Sequence, residues 1–288
     1  MELFSSLSWF PFALAIPILF GIAMVFFKLP SLRGHSSYTA MFWANLFMAI
    51  LAVAFFFNYA AGINTKLILL ALAWGITFSS ISLLQMYALK YVDTNALFPI
   101  TTTLSLIGTI IVAFIFFSAK LTLFQYLGLI LAIIIVFFFL YKGKKLQYSK
   151  WMIYIGSLIV GISILNKIFQ KVAADSFDIR TFMIYQFIFA AIFSLFVFFI
   201  SHWKDYKKHI FSEGVFTGLL IGVPAFLGTY VMFIALIRGP FALITSMHSL
   251  YIIVTAVMAS ILFKEQLTKR KIFLMFLAIL AIFLIRLG

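Results

Sequence analysis

The chain has 288 residues, 65% of them hydrophobic and 10% charged, with a formal charge of +14. That balance excludes a soluble globular domain, and the absence of cysteine excludes disulfides, thiolate metal sites and thiol nucleophiles. In a soluble chain the basic surplus would suggest nucleic acid. Here the basic residues sit mainly between apolar runs, so they are read as flanks meeting phospholipid headgroups, with no nucleic-acid partner.

Ten apolar runs follow in chain order: 9–27, 38–57, 67–89, 94–117, 121–141, 151–170, 181–201, 214–236, 240–263 and 270–287. Runs near 20 residues match the hydrocarbon thickness of a bilayer, whereas a barrel would show short alternating segments. The expected fold class is therefore an all-α polytopic membrane protein with ten transmembrane helices. The first run lacks a basic leader and a small-residue cleavage site, so it reads as a retained helix. The longest connections, 142–150 and 201–213, are too short for a soluble domain. Any chemistry is expected within the bilayer or at its faces.

The chain repeats itself. Sliding it by 146 residues lays 96–140 on 242–286, matching Ala96 with Ala242, Thr109 with Thr255 and Thr122 with Thr268. At an offset of 142, Thr39 meets Thr181 and Met41 meets Met183; at 147, Gly75 meets Gly222 and Ala88 meets Ala235. Residues 1–146 and 147–288 then form two five-helix halves. An odd number of spans inverts the second half relative to the first, the layout of secondary transporters whose site lies near mid-bilayer. Parallel repeats and a purely structural duplication are the other readings. An even total puts both termini on one side, and the positive-inside count makes that side external.

Polar residues inside spans are costly unless paired or facing a watery cavity, so they are the candidates for a solute pathway. Span three offers Ser79, Ser82 and Gln85, spaced three apart and sharing a helix face. Span four offers Thr101 and Thr102 beside Pro99, with Thr103 and Ser105 beyond. In span six Asn166 lies deep, while Lys167 and Lys171 are expected to snorkel to the interface; if they point inward with Lys28, they favour an anionic or zwitterionic cargo. Span eight carries Tyr230, the Gly218-xxx-Gly222 spacing that permits close helix approach, and Pro224, which can bend a helix. Span nine adds Thr245, His248 and Tyr251. His248 is the one proton-coupling candidate, and a plain interhelical hydrogen bond is its alternative reading.

Absences narrow the mechanism. All seven acidic residues lie outside spans or at their edges, so no buried carboxylate serves proton or sodium coupling, which favours a facilitator or exchanger. There is no phosphate-binding loop, no zinc-protease motif and no catalytic triad, so ATP-driven transport, an enzyme activity and a cofactor are not expected.

Several short motifs stand in a telling order: Gly21 with Lys28 seven residues on, Tyr87-Ala88-Leu89 closing span three, Ala96-Leu97-Phe98-Pro99-Ile100 opening span four, and Phe263-Lys264-Glu265-Gln266-Leu267-Thr268 between spans nine and ten. With these the chain resembles the ten-helix EamA-type members of the drug/metabolite transporter superfamily over essentially its full length. It departs at Phe20, where Trp commonly precedes the Gly, and at Ala119, which stands opposite Glu265. The resemblance implies movement of small polar metabolites such as amino acids without ATP hydrolysis, in a cell membrane, with cytoplasmic termini against the charge count. Two other classes stay open on the residues alone: a lipid-modifying membrane enzyme using His248 as base, and an assembly subunit without cargo. Cargo, direction and oligomeric state are left open.

Overall fold

The computed structural model describes residues 8–89, 91, 94–117, 121–140, 150–203, 214–264 and 268–287. Among these residues the regular structure is helical, with no strand. The helices are α1 Trp9–Phe26, α2 Leu29–Arg33, α3 Ser37–Phe56, α4 Thr65–Ala88, α5 Thr94–Phe116, α6 Leu123–Leu140, α7 Lys150–Ser176, α8 Ile179–Ser201, α9 Gly214–Arg238, α10 Phe241–Ser249, α11 Tyr251–Phe263 and α12 Lys269–Leu287.

Seven helical stretches among the described residues are long and apolar enough to cross a membrane: Trp9–Arg33, Ser37–Tyr59, Thr65–Ala88, Ile153–Ser176, Ile179–Ser201, Gly214–Arg238 and Phe241–Phe263. The protein is therefore an integral, multi-pass membrane protein. The sequence reading gives ten spans. The difference arises at α5 and α6, whose apolar stretches Thr101–Phe116 and Leu123–Val136 are shorter, and at α12, which opens on Lys269, Arg270 and Lys271.

Helix starts follow local chemistry. The Asn64 side chain accepts from Leu67 N at 2.8 Å to cap α4, and Asp178 accepts from Arg180 N at 2.8 Å to cap α8, each satisfying an N–H that the first turn leaves without a partner. Arg180 folds back so that its Nε donates to Asp178 Oδ1 at 2.9 Å, while its guanidinium lies 3.6 Å from the Tyr59 ring centre.

The helices close into a ring. In order around it, α1 packs on α9, α9 on α3, α3 on α8, α8 on α4, α4 on α7, α7 on α5, and α5 on α10, which with α11 returns to α1. The pair α6 and α12 packs together outside the ring, α6 against α5 and α10. Large rings such as Trp74, Phe182, Phe187 and Phe233 are fully buried between helices. Phe116, Ile115, Phe276 and Ile279 stay exposed, as suits side chains facing lipid tails.

Several close approaches depend on glycine, among them those at Gly75 and Gly222. A Cβ on Gly75 would sit 2.8 Å from Ala190 N and from Gln186 O of α8, and one on Gly222 would sit 2.7 Å from Ala44 O of α3. Backbone meets backbone there, so a side chain has no room to yield. Beside Gly75, Asn45 Nδ2 donates to Ser79 Oγ at 3.0 Å, and Ser79 Oγ donates to Ala190 O at 3.3 Å. This ties α3, α4 and α8 at one point, the use of small and polar residues expected where lipid removes the hydrophobic drive between helices.

Gly75→Val and Gly222→Val are each expected to cost about 1–3 kcal/mol through overpacking, read as a lower unfolding temperature of the purified protein in detergent. Gly156→Ala, whose Cβ meets nothing within 4 Å, is expected to leave that temperature unchanged. A second expectation concerns acid. The hydrogen bond from Arg180 holds the Asp178 carboxyl below the ordinary carboxylate range. Its stabilisation is present above the unfolded value, about 3.9, and is lost as pH falls through the lowered folded value. Between about pH 5 and pH 2 the unfolding temperature of Asp178→Asn is expected to fall less steeply than that of the unsubstituted protein.

Candidate functional site

Inside the ring lies a cavity of about 100 Å³, walled by α1, α4, α5, α7, α9, α10 and α11. Phe20, Met24, Phe78 and Ile81 form an apolar part of the wall; polar groups such as Gln85, Ser105, Asn166 and Thr229 line much of the rest.

Among the described residues Lys167 is the one Lys, Arg, Asp or Glu in this lining. It is 7% exposed, and its Nζ donates across to Ser105 Oγ of α5 at 3.3 Å. It does not snorkel to the interface as expected, because it lies a full turn deeper than Lys171. Lys171 instead pairs with Asp175 at 2.6 Å and donates to Leu236 O at 3.2 Å. Lys28 stays outside the cavity, 5.6 Å from the Phe263 ring centre.

Asn166, one residue before Lys167, uses its amide N–H groups structurally. Nδ2 donates to Trp74 O at 3.2 Å and to Thr77 Oγ1 at 2.9 Å, fixing α7 against α4 and leaving Oδ1 as the acceptor end. On the far wall, the Tyr251 and Thr102 hydroxyls lie 2.8 Å apart in a hydrogen bond joining α11 to α5. Thr101 Oγ1 donates to Leu97 O at 2.9 Å, and Ser82 Oγ donates to Phe78 O at 3.0 Å. These hydroxyls are satisfied locally while lining the cavity.

Other polar atoms there are not satisfied by the protein. Both ring nitrogens of His248, Gln85 Oε1, Thr229 Oγ1 and Trp74 Nε1 are shielded and make no hydrogen bond within it. The His248 ring packs edge-on against Phe20, centres 4.6 Å apart, and lies 5.4 Å from the Tyr251 ring. Buried polar groups normally find partners, and five such atoms around one cavity make it the candidate site.

His248 owes its position to a break in the membrane segment. The span Phe241–Phe263 is two helices, α10 ending at Ser249 and α11 starting at Tyr251, with a tight turn at Leu250 (φ −72°, ψ −3°). Leu250 N donates to Met247 O, three residues back, at 3.1 Å. His248 and Tyr251 flank the break. No Pro or Gly announces it. Pro224, the expected bending point, instead lies within the unbroken helix α9.

Of the expected pathway residues, the structure brings together Ser82, Gln85, Thr101, Thr102, Asn166, His248 and Tyr251. Three stand elsewhere. Ser79 is engaged with Asn45 and α8, and Thr245 turns its hydroxyl onto Phe241 O and Ala242 O of its own helix. Tyr230 lies in a separate hollow of about 240 Å³ with Arg180 and Arg238, its ring 5.1 Å from that of Phe56. The side chain of Pro99 lies outside the described residues. Ser163, Gln170 and Thr229 also line the cavity and are not among the expected pathway residues. Gln170 is one turn beyond Asn166, a spacing that could have flagged it. Among the described residues no three His, Cys, Asp or Glu side chains cluster to hold a metal.

The fold has a counterpart in a solved crystal structure that superposes with a TM-score of 0.73 at 10% identity, covering 95% of this chain and 98% of that one. At that identity the likeness concerns the fold alone. A search of curated proteins gives no match. The model of the EamA-like transporter family matches residues 142–287, which takes in α7 to α12 and so contributes Asn166, Lys167, Thr229, His248 and Tyr251 to the cavity. The chain belongs to the EamA-like transporter family.

Proposed function

We propose that the protein is a secondary transporter or facilitator of small polar metabolites, amino acids or similar compounds, working by alternating access without ATP. The observation that carries this reading is the polar cavity inside the ring, lined by helices from both ends of the chain and holding shielded polar atoms with no partner in the protein.

The architecture behind it is two inverted five-helix halves, residues 1–146 and 147–288. Reciprocal packing supports this. As α1 packs on α9, α4 packs on α7; as α9 packs on α3, α4 packs on α8; as α1 packs on α10 and α11, α5 packs on α7. The pairs α3 with α8, α5 with α10 and α6 with α12 then join corresponding elements. A twofold exchange of halves maps each of these contacts onto another, although among the described residues α6 on α5 and α3 on α4 have no counterpart of comparable extent. Gly75 and Gly222, matched in the sequence repeat, make the equivalent close approaches, onto α8 and α3. Two packings of nearly equal energy follow naturally from such halves, the requirement for opening a site to one side and then the other.

Counterflow in proteoliposomes tests the proposal. Vesicles loaded with unlabelled amino acids and related metabolites are expected to take up labelled solute saturably, with no imposed gradient and no ATP. Gln85→Ala and His248→Ala are each expected to lower the saturable component by about tenfold or more, the effect of about 1.4 kcal/mol lost in binding. Uptake unchanged in both variants would move the site away from this cavity.

A further inference from the structure

The charge inside the cavity is one-sided. Lys167 contributes a cation on α7, and among the described residues no Asp or Glu stands in the lining. The acidic residues among those described, Asp175 and Asp178, serve Lys171 and Arg180 outside it. An ammonium has three donors. The partner given to this one is a single neutral hydroxyl, Ser105, at 3.3 Å. A buried charge without a counter-charge is costly, and so it is commonly paired. One turn further along, Lys171 has its carboxylate. Lys167 is 7% exposed and reaches across the cavity rather than out along the helix.

The neutral groups around it complete the pattern. Gln85 Oε1 is an acceptor with no donor, and Asn166 has spent both amide hydrogens on Trp74 and Thr77, so it too presents an acceptor. These groups would receive hydroxyl hydrogens from a guest. Neutral acceptors carry no charge to offset a guest's own ammonium, and among the described residues no carboxylate of the lining would do so, while that ammonium would share the cavity with Lys167. The volume, about 100 Å³, is that of about three waters in the liquid and well below the 300 Å³ or more typical of sites for drug-sized ligands.

We infer that the cargo is a small organic carboxylate of single negative charge, its carboxylate held by Lys167 and its remaining polar groups hydroxyl or carbonyl, rather than a zwitterion. This rests on the transport reading for what the cavity does, and within small polar metabolites it puts acids without an ammonium in place of amino acids. Recognition works by charge at one end: the carboxylate replaces Ser105 as the main partner of the ammonium, while Gln85 and Asn166 accept from hydroxyls at the other.

The test compares solutes of one size and three charges. Glycolate and lactate are the anions, glycine and alanine the zwitterions, ethylene glycol and propylene glycol the neutral diols. Each is added to the purified full-length protein in detergent, where the unfolding temperature reports binding, and each is assayed by counterflow in proteoliposomes. At least one anion is expected to raise the unfolding temperature and to exchange, with an apparent affinity about tenfold or more above its zwitterionic and neutral counterparts. Lys167→Met, of similar length and no charge, is expected to abolish the anion-induced shift. Lys167→Arg is expected to retain it in part, and Lys171→Met, outside the cavity, fully. Should Lys167→Met fail to fold, the comparison of anion with zwitterion in the unsubstituted protein decides alone.

Zwitterions or diols binding as well as the anions, an anion shift surviving in Lys167→Met, or no shift with either anion would each overturn the inference. Alanine exchanging in preference to lactate would also overturn it and leave the transport reading standing. An anion that stabilises the protein in a Lys167-dependent way yet never crosses the membrane would leave the anion site standing and remove the transport reading.

Discussion

A hydrocarbon surround offers no water to a polar side chain, so every such group in a membrane span must find its partner inside the protein or face a cavity. That constraint sorts the polar residues of this chain. Most hydroxyls turn onto the carbonyl three or four residues back in their own helix, as Thr245, Ser246, Ser249 and Thr255 do. A few tie helices together, as Asn45 and Ser79 do. Of the shielded atoms left without an internal partner, those of Trp74, Gln85, Thr229 and His248 gather around one cavity within the ring, whereas Ser37, Thr39 and Gln186 stand away from it.

The ring itself depends on close approach. Lipid is as apolar as leucine, so helices gain little by hiding apolar faces from it, and contact distance decides association. Gly75 and Gly222 let α4 meet α8 and α9 meet α3 at backbone distance. With those seams tight, the bulk of Phe20, Trp74 and Phe78 is carried on the inner side, where Trp74 and Phe78 stack with centres 4.6 Å apart beside the cavity. Tight seams and an open middle belong to one design, because small residues outside the cavity leave space for large ones around it.

The break at Leu250 gives the site its least regular backbone. It puts the end of one half-helix and the start of another against the same cavity, the arrangement by which a membrane protein exposes main-chain groups without exposing them to lipid. His248 and Tyr251 gain their separation from it. In a straight helix, residues three apart would lie on one face a turn from each other; here the Tyr251 hydroxyl reaches Thr102 on α5 while the imidazole turns to Phe20 on α1.

Sequence by itself determined the solvent this protein lives in, the helical class and the positions of the apolar runs, since hydrophobicity over twenty residues is a local property. It also displayed the identities that align residues 96–140 with 242–286, and the set of polar residues from which a site must be drawn. Only the tertiary structure decided which of them face inward. Ser79 and Ser82 lie three apart, about 60° around the helix; that angle crosses from the seam with α8 to the cavity, a boundary set by neighbours and invisible in α4 alone. Lys167 and Lys171 read alike in sequence, but one turn of depth gives Lys171 a carboxylate and Lys167 only Ser105. The break in Phe241–Phe263 carries no Pro or Gly signal, and α1 and α5 pack on both of its half-helices. Depth, neighbours and packing are properties of the assembled ring, so no stretch of the chain could state them in advance.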